Sequence, residues 1–260
     1  MRNQKFYIFV FFLIFLFSFI VLNAINKNES LIKTNQEKNI TELNILAIGD
    51  SLTEGVGSEN SGYIDYLTTY LKDIYNTDEI NIHNAGKSGD KTFQITNRIS
   101  ENIEIQQKIK EVDIILITSG GNDLMEIIRK NIFKDFSIKT VEGNIKDYEI
   151  NLENLYKTIN KYNKNVLILH LGIYNPFYLN FSEIEEMQEI VTLWNNTTNN
   201  FLNKQKNSYF IPINDEIYKG SGFSNQQMND LLSVEDSFHP NDKGYQIIAN
   251  EFKKEIEKRY

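Results

Sequence analysis

Four short stretches of the sequence set residues able to do chemistry beside glycines. They are Gly49-Asp50-Ser51-Leu52-Thr53-Glu54-Gly55, Asn84-Ala85-Gly86-Lys87-Ser88-Gly89, Gly120-Gly121-Asn122-Asp123 and Asp236-Ser237-Phe238-His239-Pro240. A serine hydroxyl is a poor nucleophile until a base takes its proton. Neutral imidazole is the side-chain base nearest physiological pH, so His239 is the candidate base for Ser51. Asp236 stands three residues before His239, close enough to accept a hydrogen bond from the second ring nitrogen and fix the tautomer. The order Ser, Asp, His is compatible with a triad, which is defined by geometry and not by chain position. Attack of such a serine on an ester carbonyl develops an oxyanion, and that charge needs donors fixed in place, such as backbone N–H groups or an Asn amide.

Each residue also has a plainer use. Ser51 fits a helix N-cap after a turn, His239 before Pro240 fits a surface turn, Asn122 and Asp123 fit turn and cap positions, and Gly86 fits a tight turn. Asp50 reads as structural, holding the turn before Ser51. A Gly-Asp-Ser triplet arises by chance in roughly one chain of this composition in twenty-five, and Asp-x-x-His-Pro in roughly one in several hundred. The weight lies in finding all four blocks in order. His83 and His170 read as satisfied polar residues near strand ends, and Trp194 with the Tyr-rich helices as core. No His, Asp or Glu cluster has metal spacing, so no metal or other cofactor is expected.

Something must hold these blocks together. From Leu43 the chain alternates short apolar runs with longer stretches of helical spacing. The runs are Leu43–Ile48, Ile80–His83, Asp113–Thr118, Val166–Leu171 and Tyr209–Ile213. The helical stretches are Tyr63–Tyr75, Thr92–Ile109, Tyr148–Tyr162, Ile184–Asn203 and Tyr245–Lys258. Short continuous apolar runs are what buried parallel strands look like. The strict alternation predicts an α/β fold in three layers, with a five-stranded parallel sheet covered by helices on both faces. Ligands of such sheets bind outside the carboxyl ends of the strands, which is where the four blocks fall. Leu124–Phe136 and Lys219–Glu235, with Ile127, Ile128, Ile132, Phe133, Phe136, Phe223, Met228, Leu231 and Leu232, are either walls for an acyl chain or ordinary core.

The four blocks resemble those of the SGNH hydrolases, the GDSL esterase/lipase family, named for a Ser, a Gly, an Asn and a His in successive blocks. Ser51, Gly86, Asn122 and His239 stand for them, and the similarity runs from Leu43 to Tyr260. Gly172–Phe177 and the N-terminal segment further resemble the YpmR-like, membrane-anchored branch in low-GC Gram-positive bacteria. The resemblance implies a flavodoxin-like three-layer fold and a serine esterase or lipase working through an acyl-enzyme. Ser51 is then the nucleophile, His239 the base and later the acid, and Asp236 the orienting carboxylate. The oxyanion hole is implied to consist of the Ser51 N–H, the Gly86 N–H and the Asn122 side chain. Family members acting on fatty-acyl esters and others acting on glycan O-acetyl groups leave the substrate open. A rival of another class is a non-catalytic flavodoxin-like binding module with Ser51, Thr53 and Gly55 around a phosphate; it gives Asp236 and His239 no task.

Composition bounds the setting. The 260 residues carry 27 Lys+Arg against 35 Asp+Glu, a net charge of −8, and no Cys. The acidic balance argues against nucleic acid as partner. Absent Cys excludes disulfides, thiolate metal sites, a Cys nucleophile and a Cys-linked lipid. Phe6–Leu22 is a 17-residue apolar run broken only by Ser18 and preceded by Arg2 and Lys5. As a helix it would extend about 26 Å, near the lower limit for crossing a bilayer, with the basic flank retained inside. We read residues 1–25 as a membrane anchor, the alternative being a cleaved signal peptide. Residues 26–42 read as a flexible linker and 43–260 as the hydrolase domain. That domain is expected outside the membrane, or secreted after cleavage, with an ester as its partner. The sequence leaves its oligomeric state open.

Overall fold

The run Ile114-Ile115-Leu116-Ile117-Thr118 is buried at every position. A strand with no exposed face must be covered on both sides. In the computed structural model, which describes residues 40–131, 137–179, 186–221 and 228–260, this run is the central strand of a five-stranded sheet. The strands are β1 (Leu43–Gly49), β2 (Ile80–Gly86), β3 (Ile114–Thr118), β4 (Leu167–Leu171) and β5 (Ser208–Ile211). They lie in the order β2-β1-β3-β4-β5, and every pairing is parallel. This is the expected doubly covered sheet. The anchor and residues 26–39 of the linker lie outside the described residues. Among the described residues no helix is long and apolar enough to cross a membrane.

The helices, in chain order, are α1 (Ser51–Glu54), α2 (Tyr63–Tyr75), α3 (Thr92–Glu101), α4 (Ile103–Glu111), α5 (Gly121–Asn131), α6 (Ile138–Glu142), α7 (Ile145–Tyr162), α8 (Met187–Leu202), α9 (Asn214–Ile217) and α10 (Asp242–Arg259). On one face Ile95 and Ile99 of α3, Ile105 and Ile109 of α4, and Leu155 and Ile159 of α7 join Ile115 and Ile117 of the sheet in one apolar cluster. α2 and α10 pack together, with the rings of Tyr63 and Phe252 5.0 Å apart. Trp194 is core as expected, stacked on Tyr148 at 4.1 Å.

The short helices α1, α6 and α9 are not among the stretches read from the sequence, and two of the elements that are read there differ in extent. The single helix expected over Thr92–Ile109 is broken at Asn102. Its extended backbone ends α3, and its side-chain oxygen caps α4 by accepting from the N–H groups of Glu104 (2.9 Å) and Ile105 (3.2 Å). An asparagine amide competes well for helix-terminal donors, so an apolar period that runs through it need not mean one helix. β2 also continues three residues past His83, because pairing with β1 carries on through Asn84, Ala85 and Gly86. The register then sets Gly49 opposite both Gly86 and Thr118, and Thr118 opposite Leu171. The carboxyl ends therefore finish level. The chain leaves β1 for opposite sides of the sheet, which makes the gap between β1 and β3 the switch point where ligands bind.

His170 sits fully buried in β4, its Nε2 3.0 Å from Ser119 Oγ and its Nδ1 3.1 Å from the Tyr156 hydroxyl. Burial pushes its pKa down to about 4 from 6.5. The folded state therefore holds His170 neutral in a range where the unfolded chain protonates it. Stability from this residue is intact above the unfolded value and is lost as pH falls from about 6.5 towards 4. Urea unfolding at pH 7, 5.5 and 4 is expected to show the wild type losing roughly 3 kcal/mol relative to His170→Gln across that window. Parallel losses in the two proteins would show that His170 carries no such penalty.

Candidate active site

The turn after β1 is built on a buried carboxylate. Asp50 is the N-cap of α1, accepting from the Leu52 N–H at 3.1 Å and from Thr118 Oγ1 at 2.8 Å. Thr118 uses its one hydroxyl hydrogen on Asp50. Thr53 Oγ1, 2.8 Å away, must then donate to Thr118, and the Tyr63 hydroxyl, 2.9 Å further, must donate to Thr53. Three hydroxyls thus point one way, towards one carboxylate, with no hydrogen left over. Burial raises the pKa of Asp50, while the bonds from Thr118 and Leu52 pull it back. This is the structural role expected of Asp50. It fixes α1 and, with it, Ser51, which is 7% exposed.

The loop before α10 folds around Asp236. Its Oδ1 accepts from the N–H groups of Phe238 (2.9 Å) and His239 (3.0 Å), and its Oδ2 lies 2.5 Å from His239 Nδ1. Ser237 takes the left-handed conformation, φ 52°, that closes this turn. Burial opposes ionisation of Asp236, but the bonds from His239 and Phe238 outweigh it and hold the carboxyl below its ordinary range. An ionised acceptor at Nδ1 keeps the ring proton there and leaves Nε2 with a lone pair. That nitrogen is 2.9 Å from Ser51 Oγ, across 188 residues of chain. The loop is pinned on several sides. The Tyr174 hydroxyl donates to the Phe238 carbonyl (2.7 Å), the Ser233 N–H to the His239 carbonyl (2.8 Å), and Leu232 bridges Pro240.

Asn122 lies in the first turn of α5, its amide donating to the Asp90 carbonyl at 3.1 Å. Its second amide hydrogen has no partner among the described residues. Its neighbour Asp123 accepts from both the N–H and the hydroxyl of Thr92, each at 2.9 Å, which joins the start of α5 to the start of α3. Burial raises the pKa of Asp123, and the Thr92 bonds oppose this. A cavity of about 50 Å³ runs beside Ser51. Ser51, Ser119 and Asn122 contribute its polar lining, and Leu171, Ile173, Tyr174 and Phe238 much of its apolar lining.

A sequence profile of the GDSL-like Lipase/Acylhydrolase family matches residues 47–247. The chain belongs to that family. The GDSL hydrolase is 30% identical to the protein YpmR of Bacillus subtilis (strain 168), over 87% of this chain and 86% of that one. It is 26% identical to the spore germination lipase LipC of Bacillus licheniformis, over 81% and 95% of the two chains. In fold it is similar to the lipase Lip_vut3 from a goat rumen metagenome, with a TM-score of 0.67, 23% identity, and 82% and 96% of the chains covered. It is also similar in fold to an acetylxylan esterase, Axe2, from Geobacillus stearothermophilus, with a TM-score of 0.62, 20% identity, and 84% and 96% covered. Membership of this family makes the chain a carboxylic ester hydrolase, and it displaces the flavodoxin-like binding module.

Of the residues singled out in the sequence of the GDSL hydrolase, Ser51, Asp236 and His239 meet in one hydrogen-bonded row, and Asn122 lines the same cavity. Gly86 does not join them. Its N–H donates to Asn84 Oδ1 at 2.9 Å. A β-carbon there would come within 2.2 Å of the Glu54 nitrogen, so this glycine lets α1 lie on β2. The free N–H on this loop belongs to Gly89, at φ 81°, which makes no hydrogen bond among the described residues and has open space where a side chain would stand. The sequence reading missed Gly89 and missed the cavity wall after β4. Of the two readings left open for Leu124–Phe136 and Lys219–Glu235, the described residues follow ordinary core packing. Leu124 and Ile128 are buried in the core, as are Leu231 and Leu232, and Met228 is exposed. Ile132, Phe133, Phe136 and Phe223 lie outside the described residues. His170 is a satisfied core residue, and His83 is half-exposed on β2, 3.9 Å from Glu104.

Proposed function

We propose that this hydrolase cleaves short-chain carboxylic esters outside the cytoplasmic membrane, through an acyl-enzyme on Ser51. The row Asp236–His239–Ser51, with contacts of 2.5 and 2.9 Å, carries the reading. Nε2 of His239 takes the Ser51 proton as Oγ bonds to the ester carbonyl carbon. The carbonyl oxygen becomes an anion, which accepts from the Ser51 N–H, the Gly89 N–H and the second amide hydrogen of Asn122. As the carbon–oxygen double bond re-forms, the alcohol leaves with the proton from Nε2. Water then gives its proton to Nε2 and attacks the acyl carbon. Ser51 leaves with that proton, and the acid is released. Asp236 keeps the ring oriented and stabilises the imidazolium without itself taking the proton.

Cavity size supports the choice of acyl group. The cavity beside Ser51 is small, about 50 Å³, and lined on one side by Leu171, Ile173, Tyr174 and Phe238. A short acyl group, acetyl to butyryl, is the size that best matches it. The O-acetylated glycan reading is therefore favoured over the lipase reading. The location rests on the basic flank and 17-residue apolar run at Phe6–Leu22, read as an anchor that leaves the domain from residue 43 on the outer side.

With p-nitrophenyl esters from acetate to palmitate and the purified protein, kcat/KM is expected to be highest at acetyl to butyryl. It should fall at least about tenfold by octanoyl, the order expected when methylenes no longer fit. An optimum at lauroyl or longer would overturn the short-chain assignment, and hydrolysis of none of the esters would overturn the esterase itself. For location, protease added to wall-stripped cells should remove the domain. A chain that is protected until the membrane is broken would place it inside.

A further inference from the structure

Arg98 stands in the last turn of α3, outside every block that suggested chemistry. Its guanidinium has three partners. Nε donates to Asp90 Oδ2 at 2.9 Å, Nη1 to the Ala85 carbonyl at 2.7 Å and Nη2 to the Gly49 carbonyl at 2.9 Å. The arginine side chain is 18% exposed and that of Asp90 7%. Hydrogen bonds from an ionised donor are about twice as strong as neutral ones. A planar guanidinium also fixes the directions of its partners relative to each other, which a lysine ammonium does not.

Each of these partners belongs to a segment that carries an oxyanion donor. Gly49 is two residues before Ser51. Ala85 is the penultimate residue of β2, just before the loop that leads to Gly89. Asp90 follows Gly89 directly, and its carbonyl accepts the Asn122 amide. We propose that Arg98 is the positioning residue of the oxyanion hole, an inference that rests on the esterase reading above. It touches no substrate and acts through Gly49, Ala85 and Asp90. Donors help an oxyanion only if they are in place before the charge develops, and a displacement of about 1 Å can cost about a hundredfold in rate. Without Arg98 the buried Asp90 carboxylate loses its cation, two strand-end carbonyls lose a donor, and the Gly89–Asp90 turn keeps only the Lys87 N–H bond to the Gly49 carbonyl as its tie to β1.

The test uses the full chain, an acetyl ester, and the variants Arg98→Ala, Arg98→Lys, Asn122→Ala and Arg98→Ala/Asn122→Ala, with thermal melting to select a temperature at which each is folded. Arg98→Ala is expected to lower kcat about 10- to 100-fold, less than the 10²–10³-fold for a donor itself, with KM changed less than about twofold. Arg98→Lys should fall between wild type and Arg98→Ala. The double variant should be less impaired than the product of its single effects, because Arg98 holds the Asp90 carboxylate and Asn122 the Asp90 carbonyl, so both act through the same residue. If Arg98→Ala does not fold, Arg98→Lys carries the test, with a loss in kcat of several-fold at unchanged KM. A lower melting temperature with wild-type kcat in the folded protein, or strictly multiplicative effects with Asn122→Ala, would reduce Arg98 to a structural staple and overturn the proposal. A wild type inert on the acetyl ester would instead overturn the esterase reading.

Discussion

The hydrogen bond between Ser51 Oγ and His239 Nε2 is the contact that the rest of the molecule serves. One such bond is worth only about 1 kcal/mol net, far too little to hold together two loops 188 residues apart. The scaffold therefore does the holding. Ser51 comes from the end of β1, at the switch point of a sheet whose strands end level. His239 comes from a loop that is fastened to its own backbone through Asp236 and to the end of β4 through Tyr174. The bond records that both loops are already where they must be.

Fixing a loop at a strand end means burying polar groups, and here two buried carboxylates each meet two donors and a third meets a guanidinium. Asp50 collects the Thr118–Thr53–Tyr63 row from below. Asp123 collects both donors of Thr92. Asp90 is met by Arg98. An unpaired buried charge would cost several kcal/mol, so each of these acids imposes an arrangement on the elements around it. Together they tie β1, β2, β3, α3 and α5 into one frame below the cavity. The donors on that frame are set before a substrate arrives, and the catalytic use of a donor depends on that.

Much of this was legible in the sequence. Five short aliphatic runs gave the sheet, and the blocks at their ends gave Ser51, Asn122, Asp236 and His239. Other parts could not be read, for physical reasons. Gly86 and Gly89 are three residues apart in one block, and glycine is needed at both. One position has no room for a side chain, and the other has positive φ. Only the partner of each N–H separates them. Asn102 breaks an otherwise continuous apolar period with its side chain alone. Ile173 and Tyr174 stand in an irregular segment where no period marks a wall. Arg98 looks like a surface cation of α3 until the carbonyls it reaches are known.

The central claim is that Ser51 is the nucleophile and His239 its base. The most direct measurement is intact-protein and peptide mass spectrometry after treatment with a fluorophosphonate, on the wild type, Ser51→Ala and His239→Ala. The account requires one adduct per wild-type chain, located on Ser51, none on Ser51→Ala, and labelling of His239→Ala slower by several orders of magnitude. An adduct on another residue, or ester hydrolysis undiminished in Ser51→Ala, would contradict it.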